Sequence, residues 1–226
     1  MADKPLWTQY DVRLDFTTEL CGSVPGDPDL IKKWLEARKP RVRPPGGKSI
    51  DEINAEVLAS LDEEPIEVSI LVFQHDNENG GHIVTRPNTL RSHMKDCARV
   101  ISTYYTGKVE GEKSLAAKIK NCAYLDDSLY WITILRPDGT KILEPDGAIQ
   151  KPIHVTDARG RPMNALKKFE YIRPARIDFT LKILGGVVSL KDLNTLFMVG
   201  GTHGYAGERS AGMGKYTFEI KEREDG

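Results

Sequence analysis

Gly200-Gly201-Thr202-His203-Gly204-Tyr205-Ala206-Gly207-Glu208-Arg209-Ser210-Ala211-Gly212-Met213-Gly214-Lys215-Tyr216 holds six glycines in seventeen residues, interleaved with histidine, arginine, lysine and two tyrosines. That is too many glycines for a simple turn and too regular an interruption for a flexible linker, so the segment reads as a shaped loop. An apolar helical pattern precedes it (Leu190, Leu193, Leu196, Phe197, Val199) and an alternating strand follows (Tyr216, Phe218, Ile220), which fixes both ends. Glycine permits positive φ and close approach of a ligand to the backbone, a chemistry suited to a polyanion whose oxygens meet successive N–H groups.

Upstream of that helix, Arg176 to Leu184 alternates, with Ile177, Phe179, Leu181 and Ile183 inward, and Gly185-Gly186 turns the chain. Strand, helix, glycine-rich loop and strand make half of a split βαβ unit. The other half begins at the alternation of Tyr10, Val12, Leu14 and Phe16 with Asp11, Arg13, Asp15 and Thr17. Its long helix is predicted from Pro87, with Leu90, Met94, Cys97, Ala98 and Ile101 on one face and the positive stripe Arg91, Lys95, Arg99 on another. That stripe lines an anion or merely solubilises the helix. A helix is also expected from Pro28 to about Arg38 behind Asp27, a basic loop from Lys39 to Lys48, and a short helix opening at Ser49. Further strands are predicted at Ile66 to Phe73, Leu129 to Leu135 and Lys141 to Leu143, with a short helix at Lys113 to Asn121. His75 to His82 is expected to be a hairpin loop, with solvated histidines and no metal. Glu144 to Pro174 is the least regular stretch and reads as a basic projecting hairpin or long loop.

The 226 residues, 39% hydrophobic, suffice for a sizeable core, and no run approaches the roughly 20 apolar residues that cross a bilayer. Met1 to Tyr10 lacks a basic start and an apolar stretch, so a cytoplasmic protein without membrane association is expected. Cys21, Cys97 and Cys122 are odd in number and contain no CxxC pair, which argues for free buried thiols rather than disulfides or zinc. A net charge of −1 argues against a protein that grips nucleic acid over its whole surface. Charge is segregated, however: Lys32 to Lys48 and Lys151 to Arg176 each carry seven basic residues, whereas Asp51 to Glu64 carries six acidic ones. The mononucleotide loop GxxxxGK[ST] is excluded by order, because Gly214-Lys215-Tyr216 follows a helix and precedes a strand.

Arg209-Ser210-Ala211-Gly212-Met213-Gly214-Lys215-Tyr216, behind an apolar helix, resembles the C-terminal glycine-rich loop of the RAMP superfamily, the RNA-binding proteins of CRISPR effector complexes. Arg86-Pro87-Asn88-Thr89-Leu90-Arg91-Ser92-His93-Met94-Lys95 is similar, more weakly, to the segment opening a helix in the backbone subunits; Asn88-Thr89 stands where that family has a glycine-serine pair, and His93-Met94 where it has Lys-Gly. The resemblance implies a single α+β domain over 1–226, with insertions at 28–64 and 144–174. Its core would be a ferredoxin-like, RRM-related antiparallel sheet with helices on one face, a C-terminal glycine-rich loop and a projecting basic arm as the thumb. It implies RNA held by Gly201, His203, Gly204, Gly207, Arg209, Ser210, Gly212, Gly214 and Lys215, with Arg91, Lys95, Lys39, Arg41, Arg43, Arg159, Arg161, Lys167 and Lys168 as further basic contacts. Partners would be guide and target nucleic acid and other subunits, copies of this chain among them, with no cofactor, metal or catalytic residue. Asp27 and Asp29 match the family's cleaving aspartate by position only and are read as helix caps. Two other functions stay open: a metal-independent endoribonuclease using His203 or His93 as base, and an interaction protein that kept the fold.

Overall fold

The computed structural model describes residues 6–25, 67–104, 115–125, 130–156 and 162–223. The expected helices after Asp27 and Ser49, the basic loop between them and the tip at Asp157 to Arg161 lie outside these residues. In chain order the elements are β1 (Trp7–Phe16), β2 (Leu20–Cys21), β3 (Val24–Pro25), β4 (Glu67–Val72), β5 (Gln74–Asp76), β6 (His82–Thr85), α1 (Pro87–Tyr104), α2 (Leu115–Cys122), β7 (Ala123–Leu125), β8 (Ile132–Leu135), β9 (Gly147–Thr156), β10 (Pro162–Ile172), β11 (Ala175–Leu184), α3 (Leu190–His203) and β12 (Tyr216–Glu222). The chain divides into two compact units, one of residues 1–24, 72–147 and 170–226, the other of 25–71 and 148–169.

The larger unit is built on a sheet of order β12-β1-β11-β8-β6-β5, with β7 also on β11. Each of β8 and β1 is antiparallel to β11, so those two run parallel to each other and α1 lies in the crossover between them. By the same geometry β11 and β12, both antiparallel to β1, run parallel, with α3 in their crossover. First strand in the middle, last strand beside it: this is the split-βαβ, ferredoxin-like topology, an α+β fold. The period-2 pattern is the cause. Tyr10, Val12, Leu14 and Phe16 of β1 and Ala175, Ile177, Phe179, Leu181 and Ile183 of β11 are buried in one core with Leu90, Met94, Cys97, Ala98 and Ile101 of α1 and Leu193, Leu196 and Phe197 of α3. Both helices therefore cover the same face. Burying a leucine or phenylalanine contributes about 1.5–3 kcal/mol, so this layer dominates the unit's stability.

The other face of the sheet is polar. Arg13 pairs with Asp178 at 3.1 Å, Arg176 with Asp178 at 2.9 Å and Arg223 with Asp11 at 2.7 Å. α3 starts at a capping box in which the Asp192 amide donates to Ser189 Oγ and the Ser189 amide donates to Asp192 Oδ2, a Ser-x-x-Asp signal present in the sequence.

In the smaller unit β4 runs parallel to β10 through Leu166–Phe169, and β9 pairs with β10. The stretch 144–174, expected to be a projecting hairpin or a long loop, is mostly two paired strands of ten and eleven residues. Pro162 is the first residue of its strand, where no ladder bond is lost. The expected strand at Lys141 to Leu143 is reduced to a single bridge between Leu135 and Lys141. No helix among the described residues is long and apolar enough to cross a membrane.

Candidate nucleic-acid interface

α3 runs on through Gly200, Gly201 and Thr202 to His203, so the loop begins at Gly204, four residues later than the glycine pattern suggests. The first two glycines serve packing. A Cβ on Gly200 would meet the Tyr216 hydroxyl and His93 Nε2, and one on Gly201 would meet the Tyr216 carbonyl oxygen. Their absence lets the last turn of α3 lie directly on the start of β12. Gly204 ends the helix at φ 85°, its amide donating to the Gly200 carbonyl.

From there the loop folds onto itself. Tyr205 is buried, its hydroxyl 2.7 Å from Thr85 Oγ1 and its ring against Phe16 and His93. It packs beneath the loop and offers no surface for stacking. Gly207 and Gly214 admit the carbonyls of Gly22 and Tyr205, where a Cβ would collide. Ala206 and Glu208 take left-handed φ of 64° and 57°, and a 3₁₀ turn, Arg209–Ala211, follows. The 17–19 segment clamps the far side: the Gly214 amide donates to the Glu19 carbonyl, and the Lys215 amide donates to Thr18 Oγ1. Gly201, Gly204, Gly207 and Gly214 are thus required by backbone-to-backbone contact within the protein. Among the loop's glycines only Gly212, at φ 80°, has no neighbour closer than the Lys215 side chain at 3.9 Å.

The polar side chains of this loop turn outward. His203, Ser210 and Lys215 are exposed, and Arg209 is half-buried. Arg209 Nη1 lies 3.8 Å from Asp96 Oδ2 of α1, and the same carboxylate faces Arg99 at 3.9 Å. In the turn the Ala211 amide donates to the Glu208 carbonyl. The amides of Arg209 and Ser210 precede it, behind the left-handed Glu208. Beneath lies His93, 4% exposed, its Nε2 2.9 Å from the Tyr216 hydroxyl. Burial, with the charge of Arg209 second, lowers its pKa to about 3, and burial pushes the neighbouring Cys97 thiol up to about 12. A neutral imidazole enclosed in the core has no route to a substrate hydroxyl. The His93-Met94 pair fills the core, both side chains being buried.

The helix stripe is not uniform. Arg91 Nη2 donates to the Lys120 carbonyl at 2.7 Å and its guanidinium covers the Tyr124 ring, Lys95 is half-buried, and Arg99 is exposed beside Asp96. Lys39, Arg41, Arg43, Arg159 and Arg161 lie outside the described residues. Lys167 and Lys168 lie on β10 in the smaller unit. His82 is buried rather than solvated as expected, its Nδ1 on the Asn79 carbonyl of the β5–β6 turn and its Nε2 on Thr133 Oγ1 of β8, while His75 bonds the Gly81 carbonyl. Among the described residues no disulfide forms; Cys21 and Cys97 are buried and Cys122 is half-buried. Asp96 and Thr18 were not legible as site residues: one faces Arg209 from α1, and the other meets Lys215 from 197 positions away.

No family model matches the sequence, and no curated protein matches it. Among solved structures, a chain of the type III-B Cmr-beta bound to cognate target RNA, determined by cryo-electron microscopy, is similar over 96% of this chain at 10% identity, with a TM-score of 0.45. This chain spans 61% of the length of that one.

Proposed function

We propose that this chain is a non-catalytic RNA-binding subunit of a CRISPR-type ribonucleoprotein, holding an RNA backbone at the loop between α3 and β12. The observation that supports it is a loop whose backbone is fixed by glycine contacts while Ser210 and Lys215 face solvent beside the half-buried Arg209. Its residues are also those of the motif resembling the RAMP glycine-rich loop. Phosphate contacts of this kind position a strand without reading its sequence. In this reading Lys39, Arg41, Arg43, Arg159, Arg161, Lys167 and Lys168 are further basic contacts for RNA, and neighbouring subunits in the assembly cover the acidic segments.

The test is single-stranded RNA binding by the full chain across a salt series. Arg209→Ala with Lys215→Ala lowers affinity and reduces the slope of log K against log salt by about 1.4, roughly 0.7 for each lost phosphate contact. Absence of binding at low salt, or an unchanged slope in the double variant, overturns the reading.

A further inference from the structure

Tyr130 is 74% exposed, the most exposed of the large hydrophobic side chains among the described residues. It is not isolated. Its ring meets Trp131 edge to face at 4.9 Å and 84°, and the Arg86 guanidinium lies over the indole, 5.3 Å from its centroid. Arg86 is itself exposed and stands immediately before α1, at the end of β6 where Thr85 pairs with Ile132. A second layer of the same kind sits further along that helix, where Arg91 covers Tyr124 and Tyr124 meets Trp7 edge to face at 5.3 Å. Both arginines belong to the helix-opening segment that resembles the backbone-subunit motif. In the second layer Arg91 is tied down by the Lys120 carbonyl and Tyr124 by that of Asn121. The first layer carries the open ring.

We propose that Tyr130 and Trp131, with Arg86 layered on the indole, form a stacking site for one unpaired base of single-stranded RNA, a site that rests on the RNA-binding reading above. The chemistry discriminates between occupants. An apolar protein segment laid on Tyr130 strips water from Arg86 and supplies no anion, whereas a nucleotide brings a flat π face for the phenol and a phosphate for the guanidinium. Every base has such a face, so the site tolerates any sequence.

The experiment compares two labelled twelve-residue strands, oligoadenylate RNA and an abasic ribose-phosphate chain, binding to the full-length protein by fluorescence anisotropy. Tyr130→Ala weakens the RNA roughly 5- to 100-fold and leaves the abasic strand within twofold, while Tyr130→Phe stays within twofold on both. Equal weakening of both strands by Tyr130→Ala, or an unchanged affinity for RNA, overturns the stacking site while leaving the loop reading intact. Failure of the unsubstituted protein to bind either strand overturns both.

Discussion

His93 shows what a single buried titratable side chain contributes. Its imidazole is held neutral between Tyr216, Cys97 and Gly200, and its pKa is lowered from 6.5 to about 3. Below pH 6.5 the unfolded chain therefore binds a proton that the folded chain does not. Stability rises with pH across that interval and falls as pH drops, by about 1.4 kcal/mol per unit from this residue. The carboxylates of Glu19, Asp138 and Asp146, all shifted below their ordinary values, lose their contribution at lower pH than the histidine does. Urea denaturation below pH 6.5 shows the slope in the native chain and a flatter profile in His93→Gln, whatever the variant's absolute stability. Equal slopes in the two proteins would place the acid sensitivity elsewhere.

Among the elements, the α3–β12 junction turns on glycines whose purpose is steric. In an ordinary helix interior, Gly→Ala is stabilising by about 1 kcal/mol. At Gly201 the new Cβ runs into the Tyr216 backbone carbonyl, which no rotamer change relieves. Overpacking of this kind costs about 1–3 kcal/mol, so Gly201→Ala lowers the thermal midpoint despite its better propensity. Gly212→Ala meets only the tip of Lys215 and bears the left-handed backbone cost alone, about 1–2 kcal/mol. Thermal denaturation by circular dichroism checks both, and a stabilised Gly201→Ala contradicts the packing. The same junction marks the limit of what the sequence makes legible. The alternations of β1 and β11 and the apolar face of α1 are local patterns and emerged with nearly the observed bounds. Gly200-Gly201 looks like a helix stop because the tyrosine that demands it lies sixteen and fifteen residues downstream. β9 and β10 looked irregular because prolines and charges obscure their period. The outward Arg209, Ser210 and Lys215 followed from the motif, whereas Asp96 and Thr18 meet the loop only through the fold.

At the scale of the whole molecule, a net charge of −1 leaves no broad field to draw in a polyanion, so contact depends on where individual cations are unopposed. The sheet face away from the helices does not supply them. Across β12, β1 and β11 the register sets Glu219 and Asp178 on either side of Arg13, and Lys221 beside Asp11, which also holds Arg223. These ion pairs are substantially exposed, the side chains of Arg13 and Asp178 being 45% and 37% accessible, and exposed pairs contribute only about 0–1 kcal/mol each. Their consequence is electrostatic: cation and anion alternate, so a phosphate approaching one arginine meets a carboxylate beside it. Replacing Arg13 and Lys221 together by glutamine removes two positive charges, the same number as Arg209→Ala with Lys215→Ala. If contact were governed by total charge, the two double variants would weaken single-stranded RNA binding equally at matched salt. If it is governed by the fixed loop, the sheet-face variant stays within about twofold of the native chain with an unchanged salt slope, and only the loop variant loses the slope of two phosphate contacts. Anisotropy titrations of both variants against one RNA decide between these, and a matching loss in the sheet-face variant places the RNA on the sheet.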